Sequence, residues 1–238
     1  GLSDCTVKVG YQLCYPEQKI DTLTPEACEQ VTEEGLYICA VQNASCADRY
    51  LAPEKADDLF IRGKVPMTKE EVREVAICKL HLTENSVVYD IGSGTGSIAV
   101  EAAARSAKLH VFAVEQKEEA VALIEQNRAK FHLKNITVVH GKAPDALKEL
   151  PVPTHAFIGG SSGNLREIIN VLREKNPHIR IVITAISLET VSEITALLKD
   201  TEVTQSEVVA LQVSRAKVVG NYHLMQAENP VYLCTMQM

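Results

Sequence analysis

The stretch VVYDIGSGTGSIAVEAA, residues 87–103, sets four apolar residues around an aspartate, then three glycines, then an alanine-rich run. It reads as a strand over 87–91, a tight turn, and a helix over 97–106. A glycine-rich turn between a strand and a helix places backbone amides and a helix N-terminus where a nucleotide can approach. The glycines fall at 92, 94 and 96, spaced G-x-G-x-G, and Ser97 stands where the dinucleotide fingerprint wants its third glycine or alanine. No Gly-Lys-Ser/Thr follows, so the Walker form fails too. What remains is an acid, Asp90, two residues ahead of the first glycine.

Downstream the same rhythm continues. Strands are expected at 109–114, 136–140, 155–158 and 179–185, alternating with helices at 117–131, 164–175 and 188–199 and a short helix near 145–150. In the helix at 164, Leu165, Ile168, Ile169 and Leu172 stand at i, i+3, i+4 and i+7, the stripe of one buried face. Strands alternating with helices imply an α/β, doubly wound, mostly parallel sheet. The tail breaks the alternation: 202–213 and 231–237 are both strand-like, which predicts a C-terminal antiparallel hairpin.

Upstream, Thr68-Lys69-Glu70-Glu71 has the T-x-x-E form of a capping box and predicts a helix through Leu80. Residues 1–43 differ in composition, holding Cys5, Cys14, Cys28 and Cys39, with Cys46 just beyond. Strands at 6–13 and 36–42 flank a short helix opened by Thr24 as N-cap and Pro25 at its first position. Such a segment is too small for an independent core. Residues 44–62 read as a linker, and 63–238 as the main domain.

Composition narrows the function. The chain has 238 residues, is 46% hydrophobic and 23% charged, and carries a net charge of -7 with a sequence pI near 5.6. That balance argues against nucleic-acid partners, whose phosphates select basic faces. No apolar run approaches the roughly 18 residues of a membrane helix, and GLSDCTVKVG lacks a signal peptide's hydrophobic centre. A soluble, cytoplasmic protein with no membrane partner is expected. The initial glycine hints that the natural chain begins upstream. Seven cysteines, without a CxxC pair or Cys/His cluster, suggest reduced thiols and no metal site.

A second acid bears on the glycine turn. Glu115 closes the strand VFAVE, where a carboxylate can accept both hydroxyls of a ribose. The same acid would suit NAD, so it supports a nucleoside without choosing the cofactor. The pattern hxDhGxGxG resembles the first motif of class I S-adenosylmethionine-dependent methyltransferases, in which the glycines let the chain pass close to the cofactor's amino-acid half. After the strand at 155–158, AFIGGSSGNL (156–165) lacks the Asn/Asp/Ser-Pro-Pro-aromatic motif of enzymes that methylate base amines. Its glycines and hydroxyls form a backbone-amide nest suited to carboxylates.

Together FIRGKVPMTKEEVR (60–73), DIGSGTGSIAVEAA, GKAPDAL (141–147), FIGGSSGNL and TAISLET (184–190) resemble the decarboxylating precorrin methyltransferases of cobalamin biosynthesis, in order from about residue 60 to the C-terminus. VGYQLCYPEQKI (9–20) is similar to the end of the companion C5-methylating enzyme. The resemblance implies the C-terminal half of a fused C5,15-methyltransferase, with residues 1–43 a remnant of the upstream domain. It implies methyl transfer from S-adenosylmethionine to C15 of a precorrin, precorrin-6B or its cobalt form, and loss of carbon dioxide from the C12 acetate. Thr68, Gly92, Ser93, Gly94, Thr95, Gly96, Glu115 and Ala143 match cofactor-contact positions, and Gly159, Gly160, Ser161, Ser162 and Gly163 match the substrate loop. The family's GGSGG reads GGSSG here, so a positive φ at Ser162 would carry a cost that glycine avoids.

A substrate rich in carboxylates on an acidic protein needs local cations, for which Arg62, Lys64, Lys69, Arg215 and Lys217 are the candidates. Glu189 in SLET is the candidate acid/base residue, although it also suits the start of the following helix. Family members that assemble imply a homo-oligomer, with a tetramer as the candidate state. The competing readings are a class I methyltransferase of RNA or another small molecule, a cofactor-binding scaffold, and an NAD oxidoreductase.

Overall fold

The computed structural model describes residues 5–32, 34–43, 55–200 and 202–238. The chain divides into two compact units, 1–52 and 53–238. In the first, β1 (Cys5–Tyr11) runs between β2 (Lys19–Leu23) and β3 (Tyr37–Asn43), antiparallel to both. Strand β2 escapes the sequence reading because KIDTL holds only two apolar residues, too few to show a period. The helix expected after Thr24 is a single 3-10 turn, Ala27–Gln30, and the Ala27 N–H donates to Thr24 Oγ1 at 3.3 Å.

Of the segment read as a linker, 44–54 lies outside the described residues, whereas 55–62 belongs to the second unit. It forms a 3-10 turn, Asp57–Leu59, and Phe60 is buried in the core. Next come α1 (Glu70–Leu80), β4 (Val87–Ile91), α2 (Ser97–Arg105), β5 (His110–Glu115), α3 (Glu118–Lys130) and β6 (Ile136–His140). After a 3-10 turn, Asp145–Leu147, follow β7 (His155–Ile158), α4 (Leu165–Lys175), β8 (Arg180–Ala185) and α5 (Leu188–Leu197). The chain ends in β9 (Gln205–Leu211), β10 (Ser214–Val219), β11 (Tyr222–Ala227) and β12 (Val231–Gln237).

One seven-stranded sheet, ordered β6-β5-β4-β7-β8-β12-β9, organises this unit. The first five strands are parallel, and β12 enters antiparallel between β8 and β9. Successive strand residues point to opposite faces. Tyr89, Ile158 and Ile183 join a core with α4 and α5, while Val88, Phe157 and Val182 join another with α1 and α2. Leu165, Ile168, Ile169 and Leu172 are all buried, as their spacing predicts, each contributing roughly 1.5–3 kcal/mol.

Two local expectations need correction. The capping box at Thr68 does not form: α1 starts at Glu70 with Lys69 as N-cap and no side-chain cap. Arg73 donates to the Thr68 carbonyl at 2.7 Å, and Glu71 instead pairs with Arg215 at 2.6 Å. The tail is not a simple hairpin either. Strands β9 and β12 do pair antiparallel, but the chain between them forms a second hairpin of β10 and β11. Its turn is Gly220-Asn221 with Gly220 at φ +61°, a Gly-Asn signal the sequence carried in plain view.

The order reverses between β4 and β7. Strand β4 leads through α2 to β5 on one side, while β7 lies on the other. A ligand binds in the crevice such a reversal opens at the carboxyl ends of the strands.

Candidate active site

A cavity of about 940 Å³ occupies that crevice. The turn after β4 supplies Gly92, Ser93 and Gly94, and β5 ends at its wall with Glu115. Ala143 enters from the loop after β6, Gly159, Gly160, Ser161 and Ser162 from the loop after β7, and Thr68 from the segment before α1. Gly92, Gly94 and Gly96 take φ of +71°, +58° and +77°, the left-handed region that L side chains avoid. Gly92 also presses on the neighbouring loop, since a Cβ there would stand 2.7 Å from the Gly160 carbonyl oxygen. Ser162 does adopt a positive φ, +50°, and its hydroxyl accepts a hydrogen bond from the Gln116 amide at 2.9 Å.

Glu115 is 8% exposed, and three backbone N–H groups hold its carboxylate. Oε1 accepts from Gln116 at 2.9 Å and Lys117 at 3.0 Å, while Oε2 accepts from Gly94 at 3.0 Å. Of a carboxylate's four or so lone-pair sites, about one stays open to a hydroxyl in the cavity. The Thr68 hydroxyl makes no hydrogen bond among the described residues.

Asp90 plays another part. Its side chain lies behind the turn, fully buried, and Oδ2 accepts the Ala99 N–H in the first turn of α2 at 3.1 Å. It therefore caps α2 from the preceding strand, a helix that no side chain caps at its own N-cap, Gly96. Burial pushes the Asp90 carboxyl up to about 7, with the Glu115 charge adding to the rise and hydrogen bonding partly offsetting it. The folded protein thus keeps a proton that the unfolded chain releases near 3.8, so stability falls as pH rises from about 4 through 7. Asp90→Asn keeps a carbonyl for Ala99 and removes this dependence. In urea titrations the variant should gain about 2–3 kcal/mol on the wild type between pH 5 and pH 8. A gap that stays constant with pH would refute the assignment.

Several residues singled out by the sequence lie outside the cavity lining. Thr95 is fully buried, its carbonyl bonded to Asn127, and Gly96 is held against Ile124. Gly163 sits at φ +80° with open space around it. Arg62, Lys64, Lys217 and Glu189 are exposed. Arg215 is drawn to Glu71 at 2.6 Å, Glu228 at 3.2 Å and Glu70 at 3.9 Å, so three carboxylates take its charge. Of the expected cations only Lys69 lines the cavity, joined by Lys117 and Lys142. These two follow Glu115 and precede Ala143 in sequence, so adjacency to the cofactor positions was the available signal.

A sheet in this order, with a glycine turn after β4 and an acid closing β5, defines the class I S-adenosylmethionine-dependent methyltransferase fold. More narrowly, the chain belongs to the precorrin methyltransferase domain family, whose model matches residues 58–237. The cobalt-precorrin-6B C15-methyltransferase (decarboxylating) of Salmonella typhimurium is 36% identical over 183 residues, covering 76% of this chain and 94% of that protein. Among solved structures, precorrin-6Y C5,15-methyltransferase from Geobacter metallireducens matches with a TM-score of 0.72 at 34% identity, covering 77% of this chain and 97% of that one. The C-terminal domain of precorrin-6Y C5,15-methyltransferase from Rhodobacter capsulatus matches with a TM-score of 0.70 at 25% identity, again over 77% and 97%.

Proposed function

We propose that this chain transfers a methyl group from S-adenosylmethionine to C15 of a precorrin, precorrin-6B or its cobalt form, with decarboxylation of the C12 acetate, in cobalamin biosynthesis. The observation that carries this reading is one cavity with two loops in contact, the turn with Glu115 on one side and Gly159–Ser162 on the other, in a chain of this family. The residues present fit the cofactor. Glu115 keeps an acceptor site for a ribose hydroxyl, and Gly92, Ser93 and Gly94 line the same cavity beside it. When bound, the cofactor would supply a methyl group made electrophilic by its sulfonium.

The protein's own residues then bind and orient. Holding an electron-rich ring carbon in line with that methyl supplies much of the rate. Glu228, the other carboxylate of the lining, is engaged by Arg215, so no free carboxylate base beyond Glu115 faces the cavity among the described residues. Breaking the bond to the acetate's carboxylate releases carbon dioxide and leaves an electron pair that the conjugated ring can absorb. Lys117 and Lys142 make no ion pair among the described residues, and Lys69 stands 3.6 Å from Asp57. These three lysines take the place of Arg62, Lys64 and Arg215 as partners for the substrate's carboxylates.

Residues 1–43 are read as the remnant of an upstream C5-methylating domain, which the names of the Geobacter and Rhodobacter relatives and the VGYQLCYPEQKI stretch support. Family resemblance supports a cytoplasmic homo-oligomer, with a tetramer as the state to test. Among the described residues no helix is long and apolar enough to cross a membrane. The deciding experiment incubates the protein with S-adenosylmethionine and the C5-methylated precursor, then weighs the product. It should gain one methyl and lose one carbon dioxide, with one S-adenosylhomocysteine formed per turnover. Cofactor binding without consumption would point to a scaffold and overturn the reading.

A further inference from the structure

Asn127, on the buried face of α3, is fully buried and does not line the cavity. Its side-chain amide is nevertheless bonded to both walls of the cofactor side. Nδ2 donates to the Thr95 carbonyl in the glycine turn at 2.9 Å and to the Ile61 carbonyl at 3.0 Å, and Oδ1 accepts the Ile61 N–H at 2.8 Å. Both donors are used, and the carbonyl accepts one bond.

The course of the chain beyond Ile61 gives these bonds their meaning. It passes Gly63, which lies against Leu123 of α3, and reaches Val65, Pro66, Met67, Thr68 and Lys69, all of which line the cavity. There it meets the glycine turn: a Cβ on Gly94 would stand 2.8 Å from the Pro66 carbonyl oxygen. One turn earlier on α3, Ile124 occupies the space a Cβ on Gly96 would need, at 3.0 Å. Helix α3 thus grips the turn by shape through Ile124, and grips the turn and the 61–69 segment together through Asn127.

We propose that Asn127 is a positioning residue that sets the width of the cofactor cleft, by holding the glycine turn and the 61–69 segment at a fixed separation. Only a side chain with two N–H donors and one acceptor in this plane serves both walls. Aspartate has the shape but no donor, and would set a carboxylate against the Thr95 and Ile61 carbonyls. Serine is too short to reach both.

The proposal rests on the reading of this cavity as a nucleoside site, and the test keeps the two apart. S-adenosylhomocysteine is titrated calorimetrically into the full chain and into Asn127→Asp and Asn127→Ser, and backbone amide exchange is followed in parallel. Each variant that folds should bind at least about tenfold more weakly, the cost of unpaired buried polar groups. Amides of 92–97 and 61–68 should exchange about tenfold faster, while those of β8 stay unchanged. Leu172→Ala, in the core on the opposite face of the sheet, is the control for lost stability. It should lower the unfolding midpoint yet leave the affinity within about twofold. If Leu172→Ala weakens binding as much as the Asn127 variants, or if those variants keep wild-type affinity and exchange, the proposal falls. If the wild type itself fails to bind S-adenosylhomocysteine, the cofactor reading falls instead, and exchange alone then decides whether Asn127 holds the two walls.

Discussion

Replacing Glu115 by alanine should weaken binding of S-adenosylhomocysteine by about 100-fold or more, because one truncation removes two kinds of interaction. On the proposed reading the cavity loses its acceptor for a ribose hydroxyl, a charge-assisted bond worth about 1.5–3 kcal/mol. Three backbone donors, those of Gly94, Gln116 and Lys117, lose their partner at the same time. With the Gly94 bond gone, the glycine turn is held to β5 by the Gly92 and Ser93 N–H bonds to the Val114 carbonyl, so its Gly94 end loosens as the site loses a contact. Glu115→Gln should be milder. It keeps one carbonyl acceptor, but its amide N–H groups must face at least one of the same backbone N–H donors. Calorimetric titration of wild type and both variants orders them wild type, Gln, Ala. An alanine variant with wild-type affinity would rule out Glu115 as the nucleoside acceptor.

Gly92→Ala is expected to be the most damaging small substitution in the unit, and Gly160→Ala, at the residue it touches, one of the mildest. Alanine at 92 must hold φ at +71°, and its Cβ would stand 2.7, 2.8 and 3.0 Å from Gly160 O, N and Cα. All three are backbone atoms, so no rotamer change relieves the clash, and the loop after β7 must move. Left-handed strain of about 1–3 kcal/mol and overpacking of about 1–3 kcal/mol together predict a loss of about 2–6 kcal/mol. A Cβ at Gly160 meets nothing within 4 Å, so that variant should unfold within about 0.5 kcal/mol of wild type. Urea titration of the pair gives the answer directly. Equal stability of the two variants would mean that the contact between the loops is not what the glycine serves.

Much of the site was legible because its signals are local. The spacing of Gly92, Gly94 and Gly96 depends only on the turn that joins β4 to α2, and Glu115 is placed by the end of its own strand. What escaped depends on neighbours through space. Asp90 reads as part of the cofactor motif, yet its carboxyl turns away from the cavity because the first turn of α2, folded back over β4, offers it the Ala99 N–H. Arg215 reads as a free cation until α1 brings Glu70 and Glu71 to it and the β10–β11 pairing sets Glu228 beside it. Lys142 and Lys117 look like ordinary surface charges until β6 and β5, side by side, bring both to the cavity.

The amino-acid sequence alone determined the alternation of strands and helices, the glycine turn with its acid, and the family, since these follow from the period of buried residues and from backbone conformations that few residues tolerate. Tertiary structure decided the rest: β12 between β8 and β9, the contact of Gly92 with Gly160, and which lysines line the cavity. It also brought Asn127, 66 positions from Ile61 and 32 from Thr95, to the seam between two walls of one cleft. Those features depend on packing between segments far apart in the chain, and no periodicity records which distant segments will meet.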